Sequence, residues 1–270
     1  MARKKVRARD LKKQRWAGIV AAILALGMVL GLFGPNVYHA IFGSGTTLPD
    51  QQSEPEPQDY LDYYEGEVER LESQLEDNEG SEALLLELAE NYRYLIVVQQ
   101  VFFNNEDAIA DYQERLIDVY SSLTSVAPSN MQYRLELAYL FFEGSEDRSK
   151  MLDEASEISD FLRLNPDPLY HLSLIQLLDL AGESELAINE AQWLESHLEE
   201  KISEGTADND ERFYYAVLLG EYLGNTTSAK LILEEVIEEE SEESRLYQNA
   251  LAYLQFFQAE SDDDQDITVD

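Results

Sequence analysis

Two glycines frame what this chain can become. In residues 177–198, LLDLAGESELAINEAQWLESHL, an apolar helical pattern breaks at Gly182, and the small residue Ala187 follows by five. In residues 214–236 the same spacing returns as Gly224 and Ala229, with Leu194 and Val236 each seven residues beyond their alanine. Glycine can adopt the left-handed conformation that ends a helix. An alanine early in the next helix lets two antiparallel helices approach closely. The spacing therefore predicts stop, turn and return: a helical hairpin, made twice.

The remaining sequence reads the same way. Hydrophobic residues make up 44% of the 270, with only 13 Gly and 7 Pro, and long runs of Leu, Ala, Glu and Tyr replace the alternation of strands. The expected class is all-α. There is no cysteine, which excludes disulfides, thiolate metal sites and a cysteine nucleophile.

Leu174, Gly182, Ala187 and Leu194 form one set of large and small packing positions, and Phe213, Ala216, Gly224, Ala229 and Val236 form another. Weaker copies run through Leu88, Ala89 and Tyr92 with Ala108 and Tyr112, then through Leu137, Ala138 and Phe141 with Ala155; Pro128 and Pro166 fall at repeat ends. This pattern resembles the tetratricopeptide repeat, a helix-turn-helix of about 34 residues. The likeness covers roughly residues 80–240. The family's first-helix Trp is missing, and the first two copies carry insertions around residues 99–106 and 143–150. The resemblance implies a right-handed α-α superhelix over residues 59–260. It would be flanked by an amphipathic helix over 59–77 (Leu61, Tyr64, Val68, Leu71 and Leu75 on one stripe) and by a capping helix over 242–260. Residues 261–270 read as an acidic disordered tail.

Residues 16–34, WAGIVAAILALGMVLGLFG, hold no charge and would span roughly 28 Å as a helix, close to a bilayer's hydrocarbon thickness. Residues 1–15 carry eight Lys/Arg against one acid, which orients them to the cytoplasm. The expectation is a single-pass transmembrane helix in a cytoplasmic membrane. The basic tail would lie inside, residues 35–58 would serve as a flexible linker, and the helical domain would lie outside in a bacterial-type cell envelope. The segment exceeds the roughly 7–15 apolar residues of a cleaved signal, and the best small-x-small site, Gly43-Ser44-Gly45, lies far beyond it. An anchored scaffold is therefore expected ahead of two alternatives, a non-catalytic subunit of a membrane enzyme, transporter or secretion complex and a secreted binding protein released by cleavage.

Beyond residue 15 the chain holds 11 basic residues against 54 acidic ones. Such a body repels phosphates, so nucleic acid is not an expected partner. The inventory for chemistry is thin. His39, His171 and His197 are the only histidines, and His171 falls where the repeat buries a large side chain. No zinc-protease, nucleophile-elbow or phosphate-loop motif occurs. The acidic runs at 208–211 and 262–266 lack the glycine and closing glutamate of a calcium loop. No catalytic residue, metal site, cofactor or small-molecule substrate is expected, and the protein is not expected to be an enzyme. Asn225-Thr226-Thr227 reads either as a glycosylation acceptor or as a turn with a cap at Thr227 or Ser228.

Binding is the expected role. In the repeat family the first helix of each pair lines a concave face, which on this chain implies Glu90, Arg93, Tyr94, Gln132, Tyr139, Phe142, Gln176, Asp179, Tyr214, Glu221 and Tyr222. Tyrosines among acids suit a protein or peptide segment carrying Lys or Arg.

Overall fold

In a computed structural model, residues 56–144 and 148–265 are described, with side chains to residue 259. The apolar segment 16–34, the basic tail and the linker to residue 55 lie outside them. Among the described residues every element is helical, and no helix is long and apolar enough to cross a membrane. Ten α-helices run in order: α1 Pro57–Asp77, α2 Glu82–Val98, α3 Glu106–Val126, α4 Met131–Gly144, α5 Arg148–Leu164, α6 Pro168–Leu180, α7 Ser184–Glu204, α8 Asn209–Val217, α9 Thr226–Glu239 and α10 Arg245–Gln265. Two π-helical turns, Gln99–Phe103 and Leu218–Tyr222, extend α2 and α8.

Helix starts are set by side chains that satisfy orphan amides. Ser81 accepts from the Leu84 amide, and Asn105 from Ala108. Asp167 accepts from Leu169 and Tyr170 just before Pro168, whose ring suits the first helical position. Asp208 and Glu211 exchange bonds in a capping box. The cap of α9 is Asn225, which accepts from the Ser228 amide at 3.2 Å, rather than Thr227 or Ser228. It wins because its side chain sits one residue ahead of the first helical residue and reaches the third amide beyond.

The predicted stop at Gly182 is real. With φ +76° it lets the Glu183 amide reach back to Leu178 O (2.8 Å) and its own amide to Asp179 O (2.9 Å), the pair of bonds that closes a helix C-terminus. Gly224, φ +68°, closes the extended α8 differently, with a single bond from the Asn225 amide six residues back to Leu219 O at 2.7 Å.

The described residues divide into two compact units, one ending at Met151 and the other beginning at Leu152. In the first, α2 packs against both α1 and α3, and α3 against α4. Leu71, Leu95, Leu123 and Ala138 are fully enclosed there, together with Tyr92. The α1 stripe buries Tyr64, Val68 and Leu71, while Leu61 and Leu75 stay half-buried at its edges. In the second unit α6 pairs with α7 and α8 with α9; α8 also touches both α6 and α7, and α10 covers α9 and α8. Leu174, Ala187, Leu194, Phe213, Ala216, Ala229 and Val236 are all buried in it. The insertion around residues 99–106 is a π turn with a two-residue link, and α10 runs to Gln265.

Candidate functional site

The implied binding residues of the first unit sit on α2 and α4. Glu90 and Phe142 are exposed, and Gln132 and Tyr139 are half-buried. Arg93 is also half-buried, but its charge is used internally. Its guanidinium donates to Glu136 Oε2 at 2.6 Å and to the Tyr120 hydroxyl at 3.2 Å, and lies over the Tyr120 ring at 5.5 Å. Burial alone would lower the Arg93 pKa, but Glu136 and Tyr120 outweigh it and raise it further. This pair ties α2 to α4 through a tyrosine of α3. Tyr94 is buried: its ring stacks on Tyr64 at 4.7 Å and its hydroxyl donates to Glu90 at 3.0 Å. It therefore packs α2 on α1, and of the implied set here Glu90, Gln132, Tyr139 and Phe142 stay accessible.

In the second unit Asp179 is exposed, and Gln176, Tyr214, Glu221 and Tyr222 are half-buried. Tyr214 meets Phe213 edge-on at 5.3 Å. Its hydroxyl pKa is raised by burial and by the nearby acids Asp210 and Asp167. Glu221 and Tyr222 lie on the π turn, so their direction is not that of a regular α-helix. The accessible residues on these first helices are thus aromatics, amides and acids.

A cluster that sequence reasoning did not assemble lies inside this unit. Glu190 of α7 is buried, and its Oε1 accepts from Ser159 (2.7 Å) and Arg163 (2.6 Å) of α5. His171 of α6 is wholly enclosed, with Nε2 3.6 Å from Glu190 Oε2. Its ring stacks on Trp193, which stacks on His197. Burial pushes the Glu190 carboxyl up, but His171, Ser159 and Arg163 outweigh that and hold it at about 2. The His171 ring nitrogens and Glu190 Oε2 make no hydrogen bond. The cluster joins three helices, with His171 and Glu190 buried and the Arg163 side chain reaching the surface. The sequence signal was present only as His171 on an apolar face, since Glu190 looks like any acid in an acidic helix.

Among the described residues no group of three or more His, Cys, Asp or Glu is placed to hold a metal ion. No protein-family model matches this chain, and no curated protein matches it.

Proposed function

We propose that this protein is a membrane-anchored, extracytoplasmic interaction scaffold that holds peptide or protein segments on the first-helix faces of tetratricopeptide-like hairpins. The observation that carries the reading is the packing order of the second unit. There α8 rests on both members of the preceding α6–α7 hairpin, and α10 covers both the following α9 and α8. A stack in which each first helix nests on the hairpin before it is how such repeats propagate. It leaves one face of each first helix accessible. That face carries Asp179, Tyr214, Glu221 and Tyr222 here, and Glu90, Tyr139 and Phe142 in the first unit.

Tyrosine and phenylalanine supply contact area at small entropic cost, and the acids favour Lys and Arg on the ligand. The role is non-catalytic. The tether is residues 16–34, read from their length and lack of charge, with the basic end inside.

The test combines topology with capture. Protease added to intact cells, with the outer envelope opened, should digest the helical domain and leave the basic tail. A photo-crosslinking residue at Tyr214 or Phe142 should then join the chain to segments rich in Lys and Arg. Charge reversal of Glu90, Asp179 and Glu221 should weaken that capture; unchanged capture, or a mature chain starting near residue 45, would overturn the reading.

A further inference from the structure

The first π turn does something its sequence alone does not suggest. Val101, Phe102 and Phe103 follow one another in the chain and are all solvent-exposed, at 52%, 42% and 39%. In a regular α-helix each residue rotates by about 100°, so three consecutive side chains fan across about 200°, an arc that a surface helix normally fills with polar residues. Here the three are apolar and lie on a π turn. The Asn104 amide reaches Gln99 O at 2.6 Å, and Asn104 itself takes the left-handed conformation, φ 49°. The turn buries Gln99, whose side-chain carbonyl oxygen finds no donor, and turns the next residues outward.

The exposed rings are not loose. Phe102 lies parallel to Tyr60 of α1 (6.4 Å between ring centres, 4° between planes). One turn on, Tyr63, 44% exposed, meets Tyr64 edge-on at 5.2 Å, and Tyr64 stacks on Tyr94. This is an ordered aromatic shelf built by α1 and the end of α2. Pre-ordered rings lose little entropy on binding, which is how anchor sites at protein interfaces are made.

The rim carries one sign of charge. Residues 57–69 and 94–114, which carry the shelf, contain nine Asp or Glu and no Lys, Arg or His. Asp62, Glu65, Glu106 and Asp107 are exposed. The nearest cations in sequence are already engaged: Arg70 with Glu67 (2.7 Å) and Glu87 (3.0 Å), Arg115 with Asp111 (3.1 Å) and Glu72 (3.5 Å).

We infer that the shelf of Tyr60, Tyr63, Val101, Phe102 and Phe103 is a second docking surface, which takes a cationic segment of a partner protein bearing apolar anchors. Charge complementarity selects that occupant. A second copy would bring the same acidic rim against this one, and an anionic bilayer would repel it. The apolar centre with a charged edge matches the general anatomy of a specific interface.

The absence of cysteine makes the test clean. The full chain carries Gln100→Cys, an exposed neighbour of the shelf, labelled with a polarity-sensitive fluorophore, in nanodiscs of zwitterionic lipid at salt high enough to screen non-specific attraction. The probe ligand is a synthetic amphipathic peptide of Lys and Leu, with an all-Lys peptide and a Glu/Leu peptide as comparators. The Lys/Leu peptide should shift the emission saturably. Phe102→Ser with Phe103→Ser, and separately Asp62→Lys with Asp107→Lys, should each weaken that binding by about tenfold or more. Both comparators should bind at least about tenfold less well. Equal binding by the Ser variant, or by the Glu/Leu peptide, would overturn the proposal. So would a shift seen without peptide that depends on the nanodisc lipid (a membrane foot) or on protein concentration (a second copy). Reversal of Asp179 and Glu221 alone should leave this signal in place, which separates the shelf from the first-helix faces.

Discussion

The two π turns make an informative pair. Both extend the first helix of a hairpin, both end in a five-residue-back hydrogen bond (Asn104 to Gln99, Leu223 to Leu218), and both are followed by a left-handed residue, Asn104 or Gly224. In the second unit the turn is covered: Leu218 and Leu219 are buried, and Phe257 of α10 lies so close over Gly220 that a Cβ there would collide with the tip of its ring. In the first unit only the opening residue, Gln99, is buried, and Val101, Phe102 and Phe103 face solvent. A π turn shifts the side-chain frame by one residue wherever it occurs. Whether the shifted residues become core or surface depends on what the chain places over them.

That contrast can be broken at its covered end with the largest effect. Phe257→Ala should cost the second unit about 3–5 kcal/mol, because a fully enclosed ring is lost above a turn with no side chain to fill the gap. Unit-resolved hydrogen exchange should show protection falling in residues 209–257 and not in residues 57–126.

The buried carboxylate of the same unit comes next. Removing its charge with Glu190→Gln should cost about 2–3 kcal/mol by weakening the charge-assisted bonds it accepts from Ser159 and Arg163. The pH dependence has a definite sign. The Glu190 pKa is lowered from 4.5 to about 2, so its contribution is fully present above pH 4.5 and is lost as pH falls through about 2. Acid titration of the wild type should therefore loosen the second unit across that window. The Gln variant should show a flatter acid limb when unfolding is followed by circular dichroism.

A smaller effect sharpens the comparison. Gly220→Ala should cost about 1–3 kcal/mol by forcing the Phe257 ring aside. Much of that cost should vanish in the Phe257→Ala background, a non-additivity that only a direct contact produces. The smallest expected change lies at the uncovered turn. Phe102→Ser with Phe103→Ser should alter thermal stability by no more than about 0.5 kcal/mol, since neither ring is core. A large loss there would mean that the shelf is structural.

Much of the architecture was legible beforehand, and the legible parts share a cause. The Gly182 and Gly224 stops and the enclosed Ala187 and Ala229 follow from local rules: backbone freedom at one residue, side-chain size at another. The α1 stripe and the final helix follow from periodicity. The site residues were harder. Tyr94 belongs to the expected face by register, yet it stacks on Tyr64, and Arg93 is neutralised by Glu136, forty-three residues away. Sequence offsets give the side of a helix a residue occupies, not the neighbour that reaches it first.

The sequence by itself determined the helical class, the hairpin stops and the sign of the surface charge, because each depends on residues within a turn or two of one another. Tertiary structure decided which of two like turns is capped and which acids are paired. It also gathered Ser159, Arg163, His171 and Glu190 into one cluster. Those outcomes rest on contacts between helices distant in the chain, and a 3.6-residue period is compatible with many of them. A single extra residue in a helical turn is enough to move an apolar run from the core to the surface.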